Sequence, residues 1–575
     1  MAGYLSDGIR VYVEKLIDWD SYFRLKKGDD VDVEAEKSAI LGVLETAAEI
    51  CQDIEVESRA GWAEPARLVD GMVVFPAHVA RGYQRLRDAG LVSLSVSEKY
   101  GGFDLPSFVG NILLQMIARA DAALMTIVGL QAGVAEDIQR YGSEEICQEY
   151  LPRFASGEVQ GAMDLTEPQA GSDLGGITTR ATESGEQIFL DGQKVFITNG
   201  GAEIHLVLAR DAQGFEQSRG TTKGLSLFVC PRTLPDGTPN GVSVERLEHK
   251  LGIHGSPTAV VRLEHAQAFR IAKKGEGFKA MLDLMNNARL GVAGQGIGIA
   301  EAALHEALAY ARERKQFGAP IGDQPLMKNM LSRMVLYVEA SRALLYRCTT
   351  LVDQNQAIEA FLARESDLSE AERECYREEQ SRNSTRIRLL TPLAKYLATE
   401  YCDSVTRSSI QVHGGIGFME ESVAGRLHLD GIITTIYEGT SEIQVSFALK
   451  EIGRGALQVV FEQLERELDT MSEAPLRAFA DKVRAGIASI NDASAALVAD
   501  PSYALLSARA VGEMVIHVIV GTELLRQAQV DPERLDLAAS WVNLKMLELA
   551  MYAQRVSEGD VSRVERCERI IDLHR

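Results

Sequence analysis

The sequence predicts an α+β protein that is mainly α. Three observations carry this. A chain of 575 residues is too long for one ordinary core. Its residues are 46% apolar and 25% charged, with only 15 prolines. Hydrophobic periodicity is helical at first, changes to short alternating runs, and then becomes helical again. The changes divide the chain into an N-terminal helical domain (1–160), a middle β domain (161–272), a second helical domain (273–455) with a charged insertion at about 352–386, and an extra C-terminal helical domain (456–575).

Taken in order, Ile40–Ile54, Ala77–Ala89 and Phe108–Val128 carry apolar residues at helical spacing. Leu94–Phe103 breaks the pattern with Gly101-Gly102 and reads as a loop. Met116–Leu124 is rich in small residues, which serve close helix packing more often than ligand access. Gln187–Gly200 reads as two strands joined at Asp191-Gly192, a hairpin signal. Leu206–Ala209, Gly224–Val229, Val242–Glu245 and Ala259–Leu263 add further strands. A long helix is expected from Phe278 to Arg314, stopping near Gly318 and Pro320. The charged insertion reads as extended, solvated helices, with a capping box at Ser369 and Glu372. The last 120 residues give amphipathic helices broken at Asp500-Pro501 and Asp531-Pro532.

A formal charge of −22 disfavours nucleic acid or an anionic membrane as the main partner. Seven cysteines stand singly, without a Cys-x-x-Cys pair, which suits a reducing compartment and argues against a disulfide framework or a metal site. The N-terminus lacks the pattern of a signal peptide, and no apolar run reads as a membrane span. A cytoplasmic enzyme is the expectation.

Five stretches carry chemistry. Ile432–Gln444 is an apolar, β-branched run ending in Glu438, then Gly439, Thr440 and Ser441, with Ser441 and Gln444 at capping-box spacing. Glu438 therefore sits on a turn before a helix, as a candidate general base with a raised pKa or, more blandly, as an acid complementing a helix N-terminus. Thr166–Asp173 and Phe196–Gly201 offer hydroxyls, an aromatic ring and glycines to a flat or anionic ligand, though each alone is an ordinary turn or strand end. Gln411–Gly417 is glycine-rich but fits neither the P-loop nor the dinucleotide fingerprint. Arg312–Gly318 is a basic helix end suited to a diphosphate or to its own helix dipole.

In chain order, Thr-Glu-Pro-x-Ala-Gly-Ser-Asp (166–173), Phe-Ile-Thr-Asn-Gly-Gly (196–201), Arg-Lys-Gln-Phe-Gly (314–318), Gln-Val-His-Gly-Gly-Ile-Gly (411–417) and Ile-Tyr-Glu-Gly-Thr-Ser-Glu-Ile-Gln (436–444) resemble the acyl-CoA dehydrogenase family. The added C-terminal helices resemble its long subgroup, which includes 3-methylmercaptopropionyl-CoA dehydrogenase and mycobacterial long-chain enzymes. The resemblance implies a four-helix-bundle domain beside a small barrel or sandwich. It also implies FAD, an acyl-CoA substrate, and electron-transfer flavoprotein as partner.

Residue by residue, the resemblance implies that Met163, Leu165, Thr166 and Thr198 meet the flavin ring with Phe196 against it. Gly171 and Ser172 would lie toward the diphosphates. Arg314, Gln316, Gln411, Gly414, Gly415, Thr440 and Glu442 would bind FAD, several of them that of a neighbouring subunit, so a homo-oligomer is implied. The extra C-terminal helices favour a dimer. Ser172, Arg289, Tyr437 and Gly439 would contact substrate. Glu438 would be the base that takes the α-proton while the β-hydrogen passes as hydride to flavin N5, giving a trans-2-enoyl-CoA. The rival position for the base is Ala288, which leaves Glu438 unopposed.

Two departures stand out. Relatives carry basic residues around the aspartate matching Asp430, where this chain has Leu429 and Ile432, a change expected to alter packing or raise nearby carboxyl pKa values. The segment after Phe317 also runs one residue short before Gln324. The alternatives are an acyl-CoA oxidase on the same scaffold and a non-catalytic, nucleic-acid-binding flavoprotein, the latter opposed by the acidic charge.

Overall fold

The computed structural model describes residues 3–93, 95–365, 368–498 and 500–574, with Asp283 and Leu284 described in their backbone only. Leu94 of the glycine loop and Ser366 and Asp367 of the charged insertion lie outside the described residues.

The chain opens with α1 (Asp7–Val11), α2 (Trp19–Lys27) and α3 (Val33–Gly61), then a short hairpin of β1 (Arg67–Val69) and β2 (Met72–Val74) that periodicity did not reveal. Next come α4 (Ala77–Asp88), α5 (Ser107–Ala120), α6 (Ala122–Tyr141) and α7 (Glu144–Ala155). The stretch 108–128, expected as one apolar helix, is two. The Asp121 carboxylate accepts from Ala123 N and Leu124 N at 2.9 and 3.0 Å, ending α5 and capping α6 in a single residue.

The middle of the chain folds into β3 (Gly161–Asp164), β4 (Arg180–Ser184), β5 (Gln187–Thr198), β6 (Ile204–Asp211), the short α8 (Phe215–Ser218), β7 (Leu225–Pro231), β8 (Val242–Leu247) and β9 (Thr258–Ile271). Hydrogen bonding runs β6-β4-β5-β9-β7 and returns to β6, so the sheet closes into a small barrel without free edges along that cycle. The hairpin expected at Asp191-Gly192 is not there: β5 is one strand, and the turn to β4 lies at Gly185. Asp191 and Gly192 instead form an irregularity against β9. The Asp191 carboxylate accepts from His265 N at 2.8 Å, and a Cβ at residue 192 would come 2.4 Å from the Thr179 hydroxyl, so the glycine serves a close approach rather than a turn.

The second helical region is built on α9 (Gly277–Glu313), followed by a two-residue hairpin of β10 (Lys315–Gln316) and β11 (Ala319–Pro320), then α10 (Pro325–Arg364), α11 (Glu370–His413), α12 (Val423–Ile432) and α13 (Ser441–Ile452). α9 packs tightly because a Cβ at Gly298 would sit 2.3 Å from the Gln115 carbonyl of α5. The capping box at Ser369 and Glu372 forms as expected. The charged insertion is the far end of α10 and α11, and it does more than space them. Asp353 is buried and accepts from Ser107 N and Phe108 N at 2.6 and 2.9 Å, capping α5, and burial lifts its carboxyl to about 7.

The C-terminal helices are α14 (Ala456–Asp469), α15 (Leu476–Ser494), α16 (Pro501–Val530), α17 (Leu535–Ser557) and α18 (Ser562–Asp572). One correction concerns α16: its best 18-residue window has mean hydropathy 1.5, long and apolar enough to cross a membrane by length and composition. That window is 67% buried inside the protein. Gly512 of α16 faces Leu393 and Val445, and the buried Trp541 indole donates to the His517 carbonyl at 3.0 Å. All seven cysteines are free.

Candidate active site

A cavity of about 1230 Å³ opens where the barrel, α9 and the turn after α12 meet. It brings together twelve of the residues singled out in the sequence: Met163, Leu165, Thr166, Gly171, Ser172, Phe196, Thr198, Arg289, Tyr437, Glu438, Gly439 and Thr440 all line it, as does Ala288.

Glu438 stands on a strained turn. Its φ is +55° and that of Gly439 is +95°, so two successive residues are left-handed. The turn is tied from one side by Gln444, whose amide donates to the Glu438 and Gly439 carbonyls at 2.8 and 3.0 Å, and from the other by Lys395, whose ammonium donates to the Gly439 carbonyl at 2.8 Å. The helix begins at Ser441 as expected, but the capping box does not form. Gln444 is consumed by the turn's two carbonyls, and the Ser441 hydroxyl donates to Glu400 at 2.6 Å. Tyr437, before the turn, donates to Gln295. A side chain at 439 would put its Cβ 2.6 Å from the Gln444 amide nitrogen. Gly439→Ala is therefore expected to destabilise the turn by about 1–3 kcal/mol; thermal unfolding and turnover should both fall, and a variant with unchanged activity would remove the role given to this turn.

The charges around Glu438 are opposed to its burial. Burial raises the Glu438 carboxyl above the usual glutamate value, while the Arg289 guanidinium and the Lys395 ammonium pull it back. Arg289 is itself buried, its guanidinium held below the usual range by burial, with Asn286 accepting one hydrogen bond at 2.9 Å and the Phe447 ring 5.0 Å away. Burial brings the Lys395 ammonium down to about 8 against the attraction of Glu438.

The opposite wall suits a flat ring. Phe196 has a φ of +58° beside an irregularity in β5 and is 65% exposed, an aromatic face turned to the cavity it lines rather than to the core. Thr166 and Thr198 flank it, and Met163 and Leu165 supply an apolar surface. Under this wall, Lys194 and Glu167 form a buried pair at 2.9 Å. Lys194 also donates to the Leu165 and Leu208 carbonyls, and Glu167 accepts from the backbone and hydroxyl groups of Thr178 and Thr179.

Six predicted site residues do not line the cavity: Arg314, Gln316, Gln411, Gly414, Gly415 and Glu442. The first five gather at another end of the bundle, where Tyr310 of α9 and His413 of α11 bring their rings to 4.4 Å. That end exposes Phe317 (95%) and Phe418 (81%). Glu442 pairs with Arg509 of α16 at 3.3 Å.

Sequence reasoning missed Lys395, Gln295 and Lys194, and it gave Gln444 to a capping box rather than to the turn's carbonyls. Lys395 was visible as a lone cation in the apolar run Leu389–Tyr396; Gln295 and Lys194 carry no local signal. At the departure around Asp430, its carboxylate is buried and accepts from the Trp62 indole at 3.0 Å and from Ile253 N at 2.5 Å. Burial lifts it to about 6, with Ile253 N–H, the Arg426 guanidinium and Trp62 opposing. Leu429 and Ile432, on either side of Asp430, face the cavity as part of its lining.

Family models of the N-terminal, middle and C-terminal domains of acyl-CoA dehydrogenase match residues 57–158, 162–266, and 275–366 with 371–453. The chain is 33% identical over 455 residues to 3-methylmercaptopropionyl-CoA dehydrogenase of Ruegeria pomeroyi, covering 76% of this chain and 73% of that one. It is 33% identical to the caffeyl-CoA reductase-Etf complex subunit CarC of Acetobacterium woodii, over 53% of this chain and 71% of that one. The structure of Caenorhabditis elegans ACDH-11 in complex with C11-CoA superposes with a TM-score of 0.76 at 20% identity, covering 98% of this chain and 95% of that one, so the likeness in fold extends through the C-terminal helices. The chain belongs to the acyl-CoA dehydrogenase family, FAD-dependent oxidoreductases that act on CH–CH bonds.

Proposed function

We propose that this chain oxidises an acyl-CoA thioester to a trans-2-enoyl-CoA, with Glu438 taking the α-proton. The observation that carries the reading is a carboxylate held on a left-handed turn, raised by burial, in the cavity that also presents the ring-binding wall of Phe196, Thr166 and Thr198. An α-proton beside a thioester is weakly acidic, so a positioned base and donors to the thioester oxygen are both needed. The backbone N–H of Glu438 is one such donor. Arg289, Ser172, Tyr437 and Gly439 line the substrate side, and Ala288 offers no competing carboxylate.

The residues present fit FAD. Met163, Leu165, Thr166, Phe196 and Thr198 would hold its ring, and Gly171 and Ser172 would approach its diphosphates; when bound it supplies the two-electron acceptor for the β-hydrogen. Arg314, Gln316, Gln411, Gly414 and Gly415, remote from this cavity, fit the FAD of a second subunit, and Thr440, on the wall of this cavity, and Glu442 would close over the cofactor. The exposed Phe317 and Phe418 beside them support a homodimer. A single dimer mass by light scattering is expected, and a tetramer would contradict it. Electron-transfer flavoprotein is the proposed electron acceptor, supported by the kinship with the Etf complex subunit.

Anaerobic mixing of the FAD-loaded protein with acyl-CoAs of graded length should bleach the flavin with at least one of them. No bleaching across the series would falsify the reading. Hydrogen peroxide released in air would make the enzyme an oxidase instead.

A further inference from the structure

We propose that the substrate's acyl group is a long hydrocarbon chain whose distal half lies in a groove between α5 and α6. The cavity does not end at Glu438. One turn along α9 from Ala288 it reaches Gly291, where a Cβ would lie 3.5 Å from a Leu114 methyl of α5 and 3.9 Å from the Met125 methyl of α6. A Cβ at Gly129 of α6 would lie 3.5 Å from the same Met125 methyl and 3.7 Å from a Leu114 methyl. Leu114 precedes the Asp121 cap by nearly the same distance in sequence as Gly129 follows it, so α5 and α6 double back on each other with the cavity between them. On α5 the lined face includes Gly110 and Leu114, a turn apart; on α6 it includes Met125, Gly129, Ala132 and Gly133 at helical spacing. A Cβ at Gly110 would meet nothing within 4 Å. From Met125 to Glu136 the lined face of α6 runs about 16 Å, the reach of roughly a dozen extended methylenes.

The second observation is where these helices keep accessible surface. Gly110, Leu114, Gly129, Leu130, Ala132 and Gly133 are only half-buried, while Ile112, Ile117, Ile127 and Val134 on the other faces are fully buried. The surface left uncovered is therefore the cavity wall, at positions where packed helices would interlock large side chains. That wall is apolar. Between Gly110 and Gly133 the described lining residues of α5 and α6 include no charged side chain, and the two polar ones are turned elsewhere. Thr126 donates to the Ala123 carbonyl at 2.7 Å and lies 2.8 Å from the Ser256 hydroxyl. The Asn111 amide donates to the Ser107 carbonyl at 2.9 Å, and its oxygen faces Gly294 of α9. Charge returns at the far end, where Lys26 pairs with Asp104 at 3.1 Å. Such a wall gains affinity from each methylene laid against it and offers a polar substituent nothing. Gly129 and Gly110 are then the residues that set how long a chain is accepted.

The inference rests on the proposed reaction only for the placing of the thioester at Glu438. Its test therefore reads binding, using CoA thioethers, whose lack of an activating carbonyl separates binding from turnover. Calorimetry on the full-length, FAD-loaded protein compares S-butyl-CoA, S-octyl-CoA and S-dodecyl-CoA below their micellar concentrations. A buried methylene is worth up to about fourfold in affinity, so dodecyl is expected to bind at least about tenfold more tightly than octyl. In Gly129→Phe and Gly110→Phe, each of which puts a ring into the groove, the advantage of dodecyl over butyl is expected to fall at least about tenfold. The advantage is taken within one protein, so a general loss of stability does not imitate its fall. Affinity that stops rising at octyl in the native protein, or an advantage that either folded variant leaves standing, overturns the inference. Such a result leaves the flavin-bleaching reading intact, and absent bleaching with these ratios observed would overturn that reading alone.

Discussion

Glu438→Gln is expected to lower turnover by about two to four orders of magnitude, the usual contribution of a positioned general base. The change keeps the shape of the side chain and the left-handed backbone, so acyl-CoA affinity should be little altered and the loss should appear in kcat. The same carboxylate sets the pH dependence. A base works when ionised, and burial raises this one above its ordinary value of 4.5, so kcat/KM should rise with pH along an acid limb displaced upward from that value. Arg289 and Lys395 limit the displacement, so Arg289→Met should push the limb higher still. The measurement is the single-turnover rate of flavin bleaching across pH. A Glu438→Gln enzyme with near-native turnover would end the assignment.

Lys194→Met should cost about 3–5 kcal/mol of stability, because it leaves the Glu167 carboxylate buried without its cation. Burial alone would raise the Glu167 carboxyl, but the Lys194 ammonium, the Thr179 hydroxyl and the backbone N–H groups of Thr178 and Thr179 hold it at about 2. The sign follows: this contribution is present above the unfolded-state value near 4.5 and is lost as pH falls through about 2. Thr166 sits directly on this pair, since Lys194 holds the Leu165 carbonyl and Val195 N donates to the Thr166 carbonyl at 2.9 Å. FAD affinity should therefore drop together with stability. Urea unfolding and FAD retention on gel filtration check both, and a variant within about 1 kcal/mol of wild type would show the pair to be dispensable.

Wherever a local pattern has one structural solution, the sequence was legible. The long helix α9, the capping box at Ser369 and the breaks at Asp500 and Asp531 all follow from periodicity and cap chemistry. Two patterns with more than one solution misled. Asp191-Gly192 signals a hairpin, but glycine also serves a close approach, and Thr179 on a neighbouring segment decided between them. The apolar stretch 108–128 hid the Asp121 cap because a single polar residue hardly disturbs helical periodicity.

The same division runs through the site. By itself the chain determined which residues carry the chemistry and in what order, down to Glu438 on the turn before a helix and Ala288 at the rival position. Only the tertiary structure decided what that carboxylate is: half-buried in a shared cavity, strained at φ +55°, tied by Gln444 and Lys395, and faced by Arg289. It also separated Arg314, Gln316, Gln411, Gly414, Gly415 and Glu442 from the cavity that holds the rest. The physical reason is that burial and Coulomb interaction depend on distances across the fold, between helices whose spacing in sequence carries no record of their spacing in the molecule.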